Sequence, residues 1–220
     1  MLELIELWSS WFPELWKGFV LSLQITALSL ALGLLLGLLL ALGVSARARL
    51  VRYPALLLVE VGRGAPALIL LQYFYFGLPS AGLTLSSFWA AALALAYCTA
   101  AYTSEIIRGG IEAVDAGQNE AAEVIGLNRI DALRFVILPQ ALRVAVPSLL
   151  GFAILMFQAS SLCFTIALPE IVSRASAIGS TTFEYMPVLT LAGLMYAAIC
   201  APATLVVTLL EKRLAPSQPH

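Results

Sequence analysis

Four long stretches of this chain carry no Asp, Glu, Lys or Arg: residues 18–46, 64–104, 144–169 and 185–210, of 29, 41, 26 and 26 positions. A helix crossing a bilayer needs about 20 consecutive apolar residues. Three of the runs suit one helix each. The 41-residue run is too long for one, and it breaks at Gly77-Leu78-Pro79-Ser80-Ala81-Gly82, a turn by its Gly and Pro content. Its first half then borrows residues before Gly64. The spacing predicts five spans, near 18–43, 56–77, 85–107, 142–164 and 188–210, in an all-α polytopic membrane bundle forming one domain over residues 1–220. Composition agrees. Charged residues are 11% of the chain and hydrophobic ones 61%, whereas a soluble domain carries about 25% charged. So little charge argues against a soluble enzyme, a disordered tail and a nucleic-acid binder.

Orientation follows from Lys and Arg. Arg47, Arg49, Arg52, Arg108, Arg129, Arg134, Arg143, Lys212 and Arg213 all fall on one side of a five-span chain, and only Lys17 and Arg174 fall on the other. The expected topology has the N-terminus outside and the C-terminus in the cytoplasm. Met1–Lys17 lacks a basic start and carries Glu3, Glu6 and Glu14, so it does not read as a cleaved signal peptide. Trp8, Trp11, Phe12 and Trp16 suit an amphipathic lead-in lying on the outer leaflet. In span 1, Gly33, Gly37 and Ala41 make a small-residue face open to close helix approach. Cys98, Cys163 and Cys200 read as packing thiols; no metal site is expected.

Charges at membrane depth are costly and face partners or cavities. Glu60 and Arg63 sit early in span 2 at a spacing that puts them on one face, close enough to form a structural pair. Glu105 and Arg108 repeat the spacing at the inner end of span 3. Two readings stand for Glu105: an intrahelical ion pair near the interface, or a carboxylate offered to a cationic group in a central cavity. Uncharged polar residues cluster at Gln72 and Tyr73, at Tyr97, Thr99, Tyr102, Thr103 and Ser104, and at Gln158, Ser160 and Ser161. Serine and threonine can bond their own helix backbone. An amide such as Gln158 needs outside partners. Together the three clusters are expected to line one cavity for a small polar solute.

Residues 109–141 form the longest polar segment. A helix is expected from about Ala116 to Ile125, ended by Gly126 at the left-handed C′ position. Asn128 is placed to cap a second short helix, Arg129 to Val136, which Pro139 is expected to end.

Within this segment, Glu120-Ala121-Ala122, then Gly126, then Val136 and Leu138-Pro139 resemble the EAA signature of binding-protein-dependent ABC importer permeases, with Val136 where isoleucine is usual. Arg63-Gly64-Ala65-Pro66, Tyr102 to Gly110, Gly117-Gln118, Val136 to Ala141 and Leu210 to Leu214 look like the polar amino acid branch. The resemblance covers about residues 18 to 214. It implies a type I importer permease with a methionine-permease-like fold in the bacterial cytoplasmic (inner) membrane. It also implies these partners: a second permease subunit, identical or homologous; two ATPase subunits; and an extracytoplasmic solute-binding protein. The chain itself would be no enzyme and would bind no cofactor. It has no Gly-x-x-x-x-Gly-Lys-Ser/Thr loop, so ATP and Mg would belong to the ATPase.

The resemblance further implies a coupling segment at about 112–137, with Glu120 contacting the ATPase, Ala121 and Ala122 seating the helix and Gly126 setting the bend. Glu105 would meet the α-ammonium group of a polar amino acid, beside Gln72, Thr99, Gln158, Ser160 and Ser161. Many relatives carry Lys-Asp-Thr/Ser-Ser-Leu where this chain has Gln158-Ala159-Ser160-Ser161-Leu162, which favours a polar uncharged group over a basic side chain. Pro169–Pro187, with Glu170, Arg174 and Glu184, is read either as a contact for the binding protein or as a helix on the membrane rim. Rival readings are the same machine moving an opine or other amine-bearing solute, a stand-alone carrier or channel, and an intramembrane enzyme. The enzyme lacks a motif: no Gly-x-Ser-x-Gly or His-Glu-x-x-His occurs, and the lone histidine is His220.

Overall fold

The computed structural model describes residues 2–214, and every regular element among them is helical. Four helices are long and apolar enough to cross a membrane: α1 (Leu2–Val44), α4 (Ser87–Glu112), the continuous run Arg129–Ile166 that opens with α6 (Arg129–Asp131) and contains α7 (Leu138–Ala159), and α9 (Tyr185–Leu214). The count reaches five if α2 (Arg49–Gly64) and the following Ala67–Ala81, which opens with α3 (Ala67–Gln72), pair as one broken span. That pair is bent by 105°. The span expected near 56–77 is thus interrupted at residues 65–66. Ala65 and Pro66 are both extended; proline disfavours the helical conformation in the residue before it and has no N–H to continue the ladder. The expected turn at 77–82 is present, closing on Gly82 at φ 83°.

The central helix is α4. Its run Ala90-Ala91-Ala92, with Ala94, Ala96, Ala100 and Ala101, is buried, and small side chains let three neighbours come close. Ser29 Oγ donates to the Ala92 carbonyl at 3.2 Å. A Cβ on Gly33 would lie 2.8 Å from the Ala96 carbonyl oxygen, and one on Gly37 would lie 3.0 Å from that of Ala100. The small-residue face of span 1 thus buries itself against α4, with Ala41 fully enclosed. On the far side of α4, a Cβ on Gly110 would lie 2.6 Å from the Ala141 carbonyl oxygen of α7. Tyr97 and Tyr102 reach from α4 to the Leu58 and Arg63 carbonyls of α2, at 2.8 and 3.2 Å.

Two expectations fail at helix ends. Residues 2–17 are not a separate lead-in laid on a leaflet. They continue α1 as one 43-residue helix, about 65 Å long. Trp11, Leu15 and Phe19 are buried against Ile171 and Ala175 of α8 (Ile171–Thr182) and Val188, Leu191 and Met195 of α9. Trp8 Nε1 donates to the Pro187 carbonyl at 3.1 Å, and Glu14 pairs with Arg174. A ready apolar partner thus outweighs the interface preference of the tryptophans. Likewise Pro139 does not end the Arg129 helix. Residues Ala132–Ile137 widen into a π-turn and the helix runs on. The wider turn removes the clash between the proline ring and the carbonyl four residues back.

Candidate coupling and solute sites

Helix α5 (Ala116–Val124) is delimited at both ends by its own sequence. Asp115 caps it, Oδ1 accepting from the Gly117 N–H at 2.7 Å. At the other end Gly126 has φ 82°. The Leu127 N–H reaches the Ala122 carbonyl and the Gly126 N–H reaches that of Glu123, both at 3.0 Å. Those two bonds make a Schellman cap, which only a left-handed residue completes. Asn128 then caps the next helix, its Oδ1 accepting from the Ile130 and Asp131 N–H groups at 3.0 Å. The cap residues named from the sequence all take their expected roles.

The face of α5 is less even than Glu120-Ala121-Ala122 suggests. Ala122 is 2% exposed and turned inward, where α5 packs on the π-turn. Glu120 and Ala121 face outward. Beside them Val124 and Ile125 are 86% and 74% exposed, two large apolar side chains the motif did not point to. Gln140 Nε2 donates both to Gln118 Oε1 at 3.1 Å and to the Val136 carbonyl at 3.0 Å. This latch fastens α5 to the first turn of α7. In the sequence, Gln118 and Gln140 match the family pattern, and nothing there marks them as partners.

The intramembrane charges pair differently from the expectation. Arg63 Nη1 lies 3.5 Å from Glu105 Oε2, and Arg63 forms no ion pair with Glu60. The i,i+3 spacing allowed that pair, but the neighbouring α4 supplies a carboxylate that Arg63 takes instead. Arg108 grips Glu105 with two bonds, Nε to Oε1 at 3.0 Å and Nη2 to Oε2 at 2.8 Å, and pairs also with Glu112. Glu105 therefore sits between two guanidinium groups, as in the intrahelical reading, yet it also lines a cavity of about 420 Å³ with Arg52, Glu60, Arg108 and Glu112. In that cavity three carboxylates face two guanidinium groups, and among the described residues Glu60 has no ion-pair partner.

The three polar clusters do not meet in one cavity of this chain. Thr99 is fully buried at the α1–α4 crossing, beneath Gly33, and its Oγ1 has no partner. It is a packing residue, not a solute contact. Ser160 is 1% exposed and bonds the Phe157 carbonyl at 2.7 Å. Gln72 is exposed on the helix after the bend. Gln158 and Ser161 line a separate cavity of about 270 Å³ with Val172, Leu189 and Tyr196, at the end opposite the arginine cluster. The one-cavity expectation failed because polar residues at similar depths on different helices point to different neighbours.

Behind that second cavity is a residue the sequence placed wrongly. Glu170 is fully buried, so it offers nothing to a partner. Its Oε2 accepts from the Val172 N–H at 2.9 Å and the Tyr196 hydroxyl at 3.2 Å, and its Oε1 from the Ser173 N–H at 2.8 Å. It is the N-cap of α8. Burial pushes its carboxyl up to about 7, against the opposing pull of those three donors. The signal was legible as a Glu just before a helical run, but its burial was not.

A helical bundle with up to five spans, crossed by glycine-mediated contacts and bearing a separately capped helix on its arginine-rich end, is the architecture of a membrane transport subunit. The chain belongs to the family of binding-protein-dependent transport system inner membrane components, whose family model matches residues 33–216. It is the permease component of an ABC importer. It is 38% identical to the probable amino-acid ABC transporter permease protein YckA of Bacillus subtilis, over 93% of this chain and 90% of that one. The solved structure of an amino acid ABC transporter with histidines superposes at TM-score 0.87, with 33% identity over 93% of this chain and 96% of that one. The inward-facing MetNI methionine ABC transporter superposes at 0.70 with 18% identity, over 93% and 95%, a likeness of fold that bears out the type I, methionine-permease-like expectation.

Proposed function

We propose that this permease moves a polar amino acid inward across the bacterial cytoplasmic membrane, by alternating access driven by a separate ATPase. In this reading its N-terminus is outside and its arginine-rich end cytoplasmic. A second permease, identical or homologous, completes the path, and an extracytoplasmic binding protein delivers the solute. Two ATPase subunits hold ATP and Mg.

The observation that carries the reading is the outward edge of α5. Glu120, Ala121, Val124 and Ile125 stand exposed on a helix fixed at both ends and latched to α7 through Gln118 and Gln140. An exposed apolar edge with one carboxylate suits docking into a groove on the ATPase. The Schellman cap and the latch make the helix move as a unit with the spanning helix behind it. The amino acid cargo is supported by the relatives and by the cavity at Glu105. Its Glu60 carboxylate, unpaired among the described residues, suits an ammonium group and its guanidinium groups suit an α-carboxylate. Gln158 and Ser161, in the outer cavity, would offer neutral hydrogen bonds earlier on the path.

Gly126 provides the test. A Cβ there meets nothing within 4 Å, so Gly126→Val acts chiefly through the backbone, at a cost of roughly 1–2 kcal/mol for a left-handed L residue. Gly126→Asn, which tolerates that conformation, serves as control. In proteoliposomes with the ATPase and binding protein, Val should depress uptake and solute-stimulated ATP hydrolysis while membrane insertion persists, and Asn should retain most of both. Undiminished coupling in Gly126→Val would refute the assignment of α5.

A further inference from the structure

On the arginine-rich end, a cavity of about 410 Å³ lies where α1 ends, α4 ends, α5 passes and the Arg129 helix begins. Leu42, Ile111, Leu133 and Ile137 give it apolar walls, and Arg47 and Arg129 stand on its margin. Arg63, Arg108 and Arg174 are each paired with a carboxylate, but among the described residues Arg47 and Arg129 are not. Arg47 is also the first charge after the charge-free run 18–46, which sets it at the depth of the lipid headgroups.

We propose that this cavity binds an anionic phospholipid, its phosphodiester between Arg47 and Arg129 and the upper part of an acyl chain against Leu42, Ile111, Leu133 and Ile137. Guanidinium groups match phosphate oxygens in geometry as well as charge. A free phosphate or a protein carboxylate would satisfy the arginines but leave the apolar walls wet. A membrane lipid carries both chemistries at this depth, and basic pockets between helices on the cytoplasmic side take such headgroups. The bound lipid would bridge α1 to the segment holding α5, so its occupancy would favour one placement of that segment.

The experiment uses the permease with its ATPase in nanodiscs of phosphatidylcholine, with and without phosphatidylglycerol, and counts retained lipid by native mass spectrometry. Each arginine removed should cut phosphatidylglycerol retention roughly fivefold, and Arg47→Gln with Arg129→Gln roughly 30-fold. Phosphatidylcholine retention should not change, and Arg213→Gln, a cation at the same end outside the cavity, should behave as wild type. Arg47→Lys, which keeps the charge, guards against misfolding and should retain most binding. Equal phosphatidylglycerol retention in the double variant overturns the proposal. So does competition by inorganic phosphate at millimolar concentration, which would mark a site for a free anion. So does loss of ATPase from the double variant with lipid retention intact, which would assign the arginines to the ATPase.

Discussion

The buried carboxylate of Glu170 makes the bundle's stability depend on pH in a direction opposite to that of an ordinary surface acid. Its carboxyl rises from 4.5 to about 7 because burial penalises the charged form. The folded state therefore binds the proton more tightly than the unfolded one. The resulting stabilisation is complete below about pH 4.5, declines as the pH climbs, and is lost above about 7. A difference of that size corresponds to about 3 kcal/mol across the window, or roughly 6–12 °C in the unfolding midpoint of a chain this long. The groups that face Glu170 are the Tyr196 hydroxyl, the Val172 and Ser173 N–H groups and the Cys163 thiol; Arg174 is turned to Glu14 and the Pro169 carbonyl. The assay is thermal unfolding in detergent at intervals from pH 5 to 8, for the wild type and for Glu170→Gln, which keeps the size and removes the charge. The wild-type midpoint should fall over this range and the variant's should stay level, so that the two curves converge or separate with pH. Parallel curves, or a wild-type midpoint that rises with pH, would refute the reasoning.

Two further outcomes follow from the packing. Gly37→Ala should destabilise the bundle by about 1–3 kcal/mol, because its Cβ would overlap Thr103 Oγ1 with the Ala100 carbonyl at 3.0 Å behind it; Thr103→Ala in the same chain should restore most of the loss in a thermal melt. Glu105→Gln should weaken uptake several-fold without loss of assembly, since it removes the carboxylate held by Arg63 and Arg108 and reduces the negative charge of the cavity; uptake equal to wild type would leave Glu105 as an ion-pair residue alone.

The features legible in the sequence were those set by one residue's own backbone. Gly126 and Gly82 needed positive φ, Asn128 needed a helix to cap, and Gly33 with Gly37, by having no side chain, marked where another helix comes close. The misreadings share a different character, because each depended on what arrived from elsewhere in the chain. Arg63 had a candidate partner three residues away, and α4 supplied another. Pro139 looked like a stop, but a π-turn relieved its clash, and no local pattern marks such a turn. Pro66 did act as a break, inside a stretch whose hydropathy read as uninterrupted. Glu170 had the composition of a surface acid and took the most enclosed position among the charged residues, because α1, running on past the bilayer, covers α8.

The packing also indicates where the bundle is stiff and where it yields. Helix α5 is latched to α7 by Gln118 and Gln140. At Gly110, α4 comes against the Ala141 backbone of α7, and Gly33 and Gly37 of α1 come against Thr99, Thr103 and the Ala96 and Ala100 carbonyls of α4. Contacts that close leave little room to absorb a displacement, so α1, α4 and α7 are joined stiffly, with α5 tied to α7 by the Gln118–Gln140 bond. The compliant point is different. Between α2 and the helix after it, Ala65 and Pro66 are extended and carry no helical ladder through the 105° bend. The Arg63 carbonyl, accepting from Tyr102, and the Arg63–Glu105 pair hold the near side of that bend to α4, and buried Leu70 and Leu71 pack the far side against the same helix. A push delivered at α5 would then reach α4 through α7, and the break in the helical ladder at residues 65–66 lies just beyond Glu60, beside the charged cavity that contains Glu60 and Glu105.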